Sequence, residues 1–172
     1  MLGLLCIAPS HGWTIAAELK SGHEIGAIYP LSTPLVYRAL KALEERGLIE
    51  EERVERGLRG PHRTVFRASG AGQLKFRRWL REPVEQARDM QTLILLKLVL
   101  AERASISPPP IVKAQREAFT AEIESLEAGL DENSGVDWVV GNFRIESTRA
   151  VLRFIEKLDR ESRTRPHLVA SA

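Results

Sequence analysis

Positive charge is concentrated between Arg53 and Arg67, where a single acidic residue, Glu55, accompanies five arginines. The arginines are Arg53, Arg56, Arg59, Arg63 and Arg67. A guanidinium group stays charged at physiological pH and binds a phosphate through two parallel hydrogen bonds. This density of arginine favours a segment that binds phosphate groups. A solvated loop whose charge only keeps the protein soluble is the alternative.

A second set of candidate residues combines an aromatic ring with two cations: Tyr37, Arg38 and Lys41. The apolar residues beside them recur at helical spacing: Val36, Leu40 and Leu43. This spacing predicts a helix that buries one stripe and turns the aromatic and basic side chains outward. Such a helix fits the major groove of DNA, where side chains read base edges. A Tyr37 buried behind the helix is the alternative.

The ends of this helix are marked in the sequence. Ser32 or Thr33 can cap its first turn, and Pro34 lies near the first turn, where its missing N–H costs nothing. Gly47 can supply the left-handed residue that ends a helix.

The segments before this helix predict two further helices, at residues 2–8 and 13–20. His11 is expected in the turn between them, and Trp13 in the core. Residues 23–31 are expected to connect the second helix to the third. Three helices with this spacing indicate a helix-turn-helix.

The segments after it change to the period of a strand. Residues 49–55 and 63–68 can pair as a hairpin around the basic loop 56–62. A helix over residues 71–81 closes the unit. The sequence therefore predicts a winged helix-turn-helix domain over residues 1–82, with the hairpin as its wing.

The residues after Pro83 predict an all-helical segment. Residues 1–82 carry 13 Lys and Arg against 9 Asp and Glu, whereas the remainder carries 12 against 14. Helices are expected at residues 90–100, 111–130 and 137–163. Apolar faces this wide on few helices are buried poorly within one chain, so we expect residues 83–163 to form a homodimer interface. Packing onto the winged domain is the alternative, and residues 164–172 are expected to fray.

The composition excludes several classes of protein. At 172 residues, 44% hydrophobic and 28% charged, the chain has an ordinary globular composition. No apolar run reaches the roughly 18 residues of a membrane span, and the N-terminus lacks the features of a signal peptide, so we expect a cytoplasmic protein. Cys6 is the one cysteine, which excludes an internal disulfide and a zinc site built on cysteines. We find no catalytic or phosphate-loop motif, and expect no enzyme, no metal and no cofactor.

The order of these motifs resembles the PadR family of transcriptional regulators. The resemblance spans residues 2–82 and is carried by Leu4-Leu5, His11-Gly12-Trp13, Val36-Tyr37, Leu40, Leu43, Gly47-Leu48-Ile49, Val65-Phe66-Arg67, Ser69 and Gly72. They are similar to the family's Leu-Leu…His-Gly-Tyr opening, its recognition helix, its wing strand and its Thr-x-x-Gly helix cap. Leu35 and Arg38 depart from the pattern, which often has a small hydroxyl residue and a proline there. Members usually have a turn or two more before Leu4, so we expect the natural chain to begin upstream of Met1.

The resemblance implies a mainly α protein: a homodimeric repressor that binds double-stranded DNA and responds to a small effector, such as a phenolic acid. The DNA-binding residues would be Ser32, Thr33, Tyr37, Arg38 and Lys41 in the helix and Arg59, His62 and Arg63 in the wing. Arg38 can read a guanine bidentately. Trp79, Met90 and Trp138 are candidates for an aromatic effector's pocket, with plain core as the alternative. A winged helix that binds another protein is the alternative function, and its binding would depend less on salt.

Overall fold

A computed structural model describes residues 1–55, 63–85, 87–130 and 134–164. Its elements are α1 (Leu2–Ile7), β1 (Ser10–His11), α2 (Gly12–Glu18), α3 (Glu24–Ile28), α4 (Thr33–Glu45), β2 (Ile49–Glu55), β3 (Arg63–Ala68), α5 (Gly70–Arg81), α6 (Ala87–Arg103), α7 (Pro109–Leu130) and α8 (Gly135–Thr164). The chain divides into two compact units, unit 1 (Met1–Leu80) and unit 2 (Arg81–Ala172). Unit 1 has the predicted winged helix-turn-helix fold, and the helices of unit 2 follow it.

Ile15 and Ala16 of α2 are buried, as is Leu19 at its C-cap position. The predicted connection at residues 23–31 is wrong, because it contains the short helix α3. Only glycine fits at residue 26, since a Cβ there would lie 1.8 Å from the carbonyl oxygen of Lys20. Five residues are too few to show a helical period in the sequence.

Helix α4 begins and ends where the sequence predicts. Ser32 occupies its N-cap position, although its side chain makes no capping hydrogen bond. Val36 and Leu40 are buried on one side of the helix. Gly47 has a φ of 65°, the left-handed conformation that few other residues adopt.

The wing is a three-stranded antiparallel sheet in the order β1-β3-β2. The predicted hairpin is confirmed, and its register runs from Ile49 opposite Ala68 to Glu55 opposite Arg63. The third strand corrects the turn expected around His11, because Ser10–His11 pairs with β3. A two-residue strand shows no alternation of apolar and polar residues, so the sequence alone gives no sign of it.

Helix α5 is fastened to the start of the hairpin. The Ser69 hydroxyl accepts a hydrogen bond from the Gly72 amide at 3.1 Å and donates one to the Gly47 carbonyl at 2.6 Å. Gly72 lies against β2, since a Cβ there would come within 2.0 Å of the Leu48 carbonyl oxygen. The cap predicted at Ser69 is therefore present.

Unit 2 is built from α6, α7 and α8 around apolar side chains that include Ile94, Phe119, Ile145 and Ile155. Gln115 is buried among them, and its side chain hydrogen-bonds both backbone groups of Val84. Within the described ranges, no helix is both long enough and apolar enough to cross a membrane. Nor do those ranges hold a group of three His, Cys, Asp or Glu residues suited to a metal ion.

Candidate nucleic-acid interface

Helix α4 presents an aromatic and basic surface to solvent. Tyr37 is 49% exposed, and Arg38 and Lys41 are exposed beside it. Lys41 forms only a loose pair with Glu45, at 3.9 Å, and both side chains are largely solvated. An exposed pair of this kind contributes little to stability. The Lys41 ammonium is therefore free to exchange its partner for a phosphate or a base.

Gly12, at the start of α2, determines how closely α2 approaches α4. A Cβ at residue 12 would lie 2.9 Å from Tyr37 Cε1 and 3.2 Å from Leu40 Cδ1. The edge of the Tyr37 ring therefore rests against the backbone of α2, while the ring remains half-exposed. This contact limits the positions that the Tyr37 ring can take on the side of α2.

His11 links all three strands of the wing. Its Nδ1 lies 3.2 Å from the Thr64 carbonyl oxygen in β3, and its Nε2 lies 3.1 Å from Glu55 Oε2 in β2. A residue of a turn was expected at this position. The ring does not cap α2, and it bridges strands far away in the sequence.

Trp13 was expected in the core, and that expectation is wrong. Its side chain is 53% exposed. The indole lies nearly parallel to the His11 ring, with the centroids 6.2 Å apart and an interplanar angle of 18°. The guanidinium carbon of Arg63 lies 5.9 Å from the indole centroid, within the range of a cation–π contact. Trp13, in α2, therefore packs against the wing rather than in the hydrophobic core.

The sheet neutralises part of the arginine charge counted in the sequence. Arg53 donates to Glu55 at 2.9 Å, and Arg67 pairs with Glu50 at 2.7 Å. The hydrogen bond from Arg53 is the main reason that the pKa of Glu55 lies below its usual range. Among the residues that the structure describes, no carboxylate pairs with Arg63. Its charge remains available to a ligand.

The remaining predicted residues are distributed as follows. Ser32 and Thr33 are exposed at the start of α4. Arg59 and His62 lie outside the described residues. The structure thus brings Tyr37, Arg38 and Lys41 together on one helix and places Arg63 on the wing of the same unit.

The comparison with known families identifies the N-terminal part of the chain. Residues 1–78 match the family model described as the transcriptional regulator PadR-like family. Residues 1–78 belong to this family. The resemblance found in the sequence is therefore confirmed for unit 1. The PadR-like unit contains α4, the wing and most of α5.

The search of solved structures returned a crystal structure of Bacillus subtilis PadR in complex with operator DNA. That chain is 19% identical to this one, with a TM-score of 0.44, and the match covers 91% of this chain and 93% of that chain. No curated protein matches the chain.

The residues predicted for an effector pocket lie in different elements. Trp79 is in α5 of unit 1, where its ring stacks on Phe76 at 6.2 Å. Trp138 is 50% exposed in α8, and Met90 belongs to α6. Unit 2 holds a cleft of about 370 Å³, lined in part by Ser125, Asp137 and Arg144. Trp138 is not among the residues that line this cleft.

Sequence reasoning missed His11 as a part of the wing and Trp13 as a residue that packs against it. The His-Gly-aromatic triplet was noted only as a family signature. Their roles depend on the pairing of β1 with β3, which joins residues more than 50 positions apart. A histidine and a tryptophan flanking a glycine just before a helix were the available signal.

Proposed function

We propose that the protein is a homodimeric transcriptional repressor that binds double-stranded DNA in the cytoplasm. Helix α4 enters the major groove, and the wing lies along the adjacent backbone. The observation that carries the proposal is the surface of α4 in a PadR-like unit. Tyr37, Arg38 and Lys41 are exposed there, while Val36 and Leu40 anchor the opposite side in the core.

The three side chains would do different things in the groove. Arg38 has the fork of donors that matches the O6 and N7 acceptors of guanine, so it would read sequence. Lys41 would hold a phosphate as a point charge, and Tyr37 would reach a phosphate or base beside it. Ser32 and Thr33 lie at the positive end of the helix dipole, where a backbone phosphate is favoured.

Binding to DNA is tested with the intergenic DNA next to the coding region, against a scrambled duplex, by fluorescence anisotropy. We expect Arg38→Ala to reduce the preference for the specific duplex by about 1–3 kcal/mol. Lys41→Ala should weaken binding to both duplexes and lower the slope of log K against log salt by about one. Lys113→Ala is the matched control, because Lys113 is similarly exposed and forms the same loose pair with a glutamate four residues on, at 3.8 Å.

The wing is tested separately. Arg59→Ala combined with Arg63→Ala should weaken binding to all sequences alike, because phosphate contacts carry no sequence information. Undiminished binding by this double variant at low salt would remove the wing from the proposal. A winged helix that binds another protein would instead show no affinity for either duplex, and its complex would depend weakly on salt.

The dimer is supported by an exposed apolar patch at the start of α8. Four exposed residues at the helical spacing i, i+3, i+4 and i+7 form this patch: Val136, Val139, Val140 and Phe143. Phe143 is 71% exposed and Val136 76%. Monomeric proteins seldom leave so many large apolar side chains together in water. A second copy of the chain would cover the patch and set the spacing of two α4 helices, about 34 Å for adjacent major grooves.

The oligomeric state is measured by sedimentation equilibrium. Val139→Asp with Phe143→Asp should dissociate the dimer, because each introduces a charge into an apolar interface. Leu74→Asp is the control, since Leu74 is 73% exposed on α5 of unit 1. A wild-type protein that is monomeric at all accessible concentrations would end this part of the proposal.

An effector that relieves repression completes the proposal. Trp138 is half-exposed beside the apolar patch, so a bound aromatic molecule would change its fluorescence. We expect 4-hydroxybenzoic acid, a simple phenolic acid, to quench the wild type more than Trp138→Phe and to weaken DNA binding. Equal quenching of the two proteins would exclude Trp138 from the pocket, and Trp79→Phe tests the second candidate in the same way.

A further inference from the structure

The wing base, defined as Glu55 and Arg63, is the last pair of residues in the hairpin. In the sequence, residues 56–62 connect Glu55 to Arg63. Two side chains from outside the hairpin contact the wing base, and they come from the same short segment, His11 and Trp13.

We propose that His11 and Trp13 are positioning residues for the wing. They hold Glu55 and Arg63, so that the Arg63 guanidinium is already oriented when it meets a DNA phosphate. The inference rests on the proposed DNA-binding function. Neither the arginine pattern in the sequence nor the groove-facing surface of α4 gives His11 and Trp13 this role.

His11 holds the Glu55 side of the wing base. Its two ring nitrogens lie 3.2 Å and 3.1 Å from the Thr64 carbonyl oxygen and Glu55 Oε2. Both partners are acceptors, so a ring nitrogen that carries a hydrogen donates to one of them. The His11 ring therefore lies between β2 and β3, within hydrogen-bonding distance of the Glu55 carboxylate.

Trp13 holds the Arg63 side. The face of an aromatic ring attracts a cation. The Arg63 guanidinium carbon lies 5.9 Å from the indole centroid. The His11 ring stacks on the same indole. Because Trp13 is 53% exposed, burial in the core does not account for an aromatic side chain at this position.

The side chain that contacts Arg63 is of a different kind from those that contact the neighbouring arginines of the sheet. Arg53 and Arg67 are each paired with a carboxylate, whereas Arg63 lies over a neutral ring. A cation held over a ring keeps its full charge for a phosphate. It also has less rotational freedom to lose when it binds, which favours association.

The experiment is a double-mutant cycle on wild-type background, measured as affinity for a random duplex at low salt. We expect Trp13→Ala and Arg63→Ala each to weaken binding about two- to fivefold. Trp13→Ala should have no further effect once Arg63 is alanine, because it acts through Arg63. Trp13→Phe retains an aromatic face and should restore most of the affinity. Leu74→Ala, another exposed apolar side chain of unit 1, is the control.

A second measurement needs no DNA. In the wild type the Arg63 side-chain protons should resonate upfield in an NMR spectrum because of the indole ring current. Trp13→Ala should remove this shift, and His11→Ala should broaden or move the Thr64 and Glu55 resonances. Arg63 protons that do not respond to Trp13→Ala would overturn the inference, as would equal losses of affinity from Trp13→Ala with and without Arg63.

The two measurements separate this inference from the proposed function. A wild type that binds no duplex, yet shows the ring-current shift, means that DNA binding itself has failed and the positioning role fails with it. A wild type that binds DNA but shows no shift and no coupling leaves DNA binding intact and rejects His11 and Trp13 as positioning residues.

Discussion

Gly12 and Tyr37 touch across two helices that are separate in sequence. A Cβ at residue 12 would approach Tyr37 Cε1 to 2.9 Å. Residues 11–13 thus contact both surfaces proposed to bind DNA. Gly12 supports the tyrosine of α4, while its neighbours on either side hold the wing.

Gly12→Ala should therefore impair DNA binding more than it impairs folding. The exposed Tyr37 ring can swing aside, so we expect the free energy of unfolding to fall by only about 1 kcal/mol, the lower end for an overpacked site. The displaced ring should lower DNA affinity measurably. Gly70→Ala is the control, because no heavy atom lies within 4 Å of the added carbon. An unchanged affinity for Gly12→Ala would show that the position of Tyr37 does not matter.

Ser69→Ala should destabilise unit 1 by about 1 kcal/mol, the usual cost of losing an N-cap side chain. The hydroxyl satisfies the Gly72 amide and also binds the Gly47 carbonyl, so its loss loosens α5 and the end of α4 together. Ser32→Ala is the matched control, since Ser32 holds the N-cap position of α4 without a capping hydrogen bond. Urea unfolding of both variants provides the comparison, and similar losses for the two would contradict this reading of the caps.

Gln115→Leu tests a buried polar contact in unit 2. The Gln115 amide donates to the Val84 carbonyl at 2.9 Å and accepts from the Val84 amide at 2.6 Å. Leucine fills a similar volume but leaves both backbone groups without a partner, at about 1–3 kcal/mol for each. Thr120→Ala, an exposed position on the same helix, should change stability by no more than about 0.5 kcal/mol. A stability of Gln115→Leu equal to that of the wild type would mean that water replaces the amide.

Local patterns in the sequence were sufficient to predict the helices and strands whose apolar residues recur with a clear period. The apolar spacing around Val36 and Leu40 located α4, and Gly47 marked its end, because helix faces and helix ends are encoded within a few residues. The two strands of the hairpin were predicted for the same reason, whereas their register, which shifts between Glu51 and Arg53, was not. The short elements α3 and β1 were missed because neither is long enough to display a period.

The sequence predicted only the part of the proposed interface that faces away from the core. Tyr37, Arg38 and Lys41 were placed outward by the helical period alone. Trp13 was misplaced because its size suggests burial, whereas its contacts with His11 and Arg63 exist only after β1 has joined the sheet. The neutralisation of Arg67 by Glu50 depends likewise on the register of two strands.

Acidification should weaken the wing base through Glu55. The Arg53 hydrogen bond, with the charges of Arg53 and His11, holds the pKa of Glu55 below its ordinary value of 4.5, against the opposing effect of desolvation. A carboxyl with a lowered pKa contributes stability that is present above pH 4.5 and is lost as the pH falls through the lower folded-state value. We expect the difference in thermal midpoint between wild type and Glu55→Gln to shrink over that range. A difference that stays constant from pH 6 to pH 3 would exclude Glu55 as the titrating group.

Cys6 should be a poor nucleophile in the folded protein. Burial raises the pKa of its thiol from 9.0 to about 11, so at pH 8 the thiolate fraction is about 100-fold smaller than in the unfolded chain. Alkylation by iodoacetamide at pH 8 should therefore be slower by a comparable factor in the native protein than in urea, as followed by mass spectrometry. Oxidation depends on the same thiolate, so a slow native rate also means that Cys6 is unsuited to sensing oxidants. Equal rates in the two states would show that the thiol is accessible and that its contact with the Gly72 carbonyl does not persist in solution.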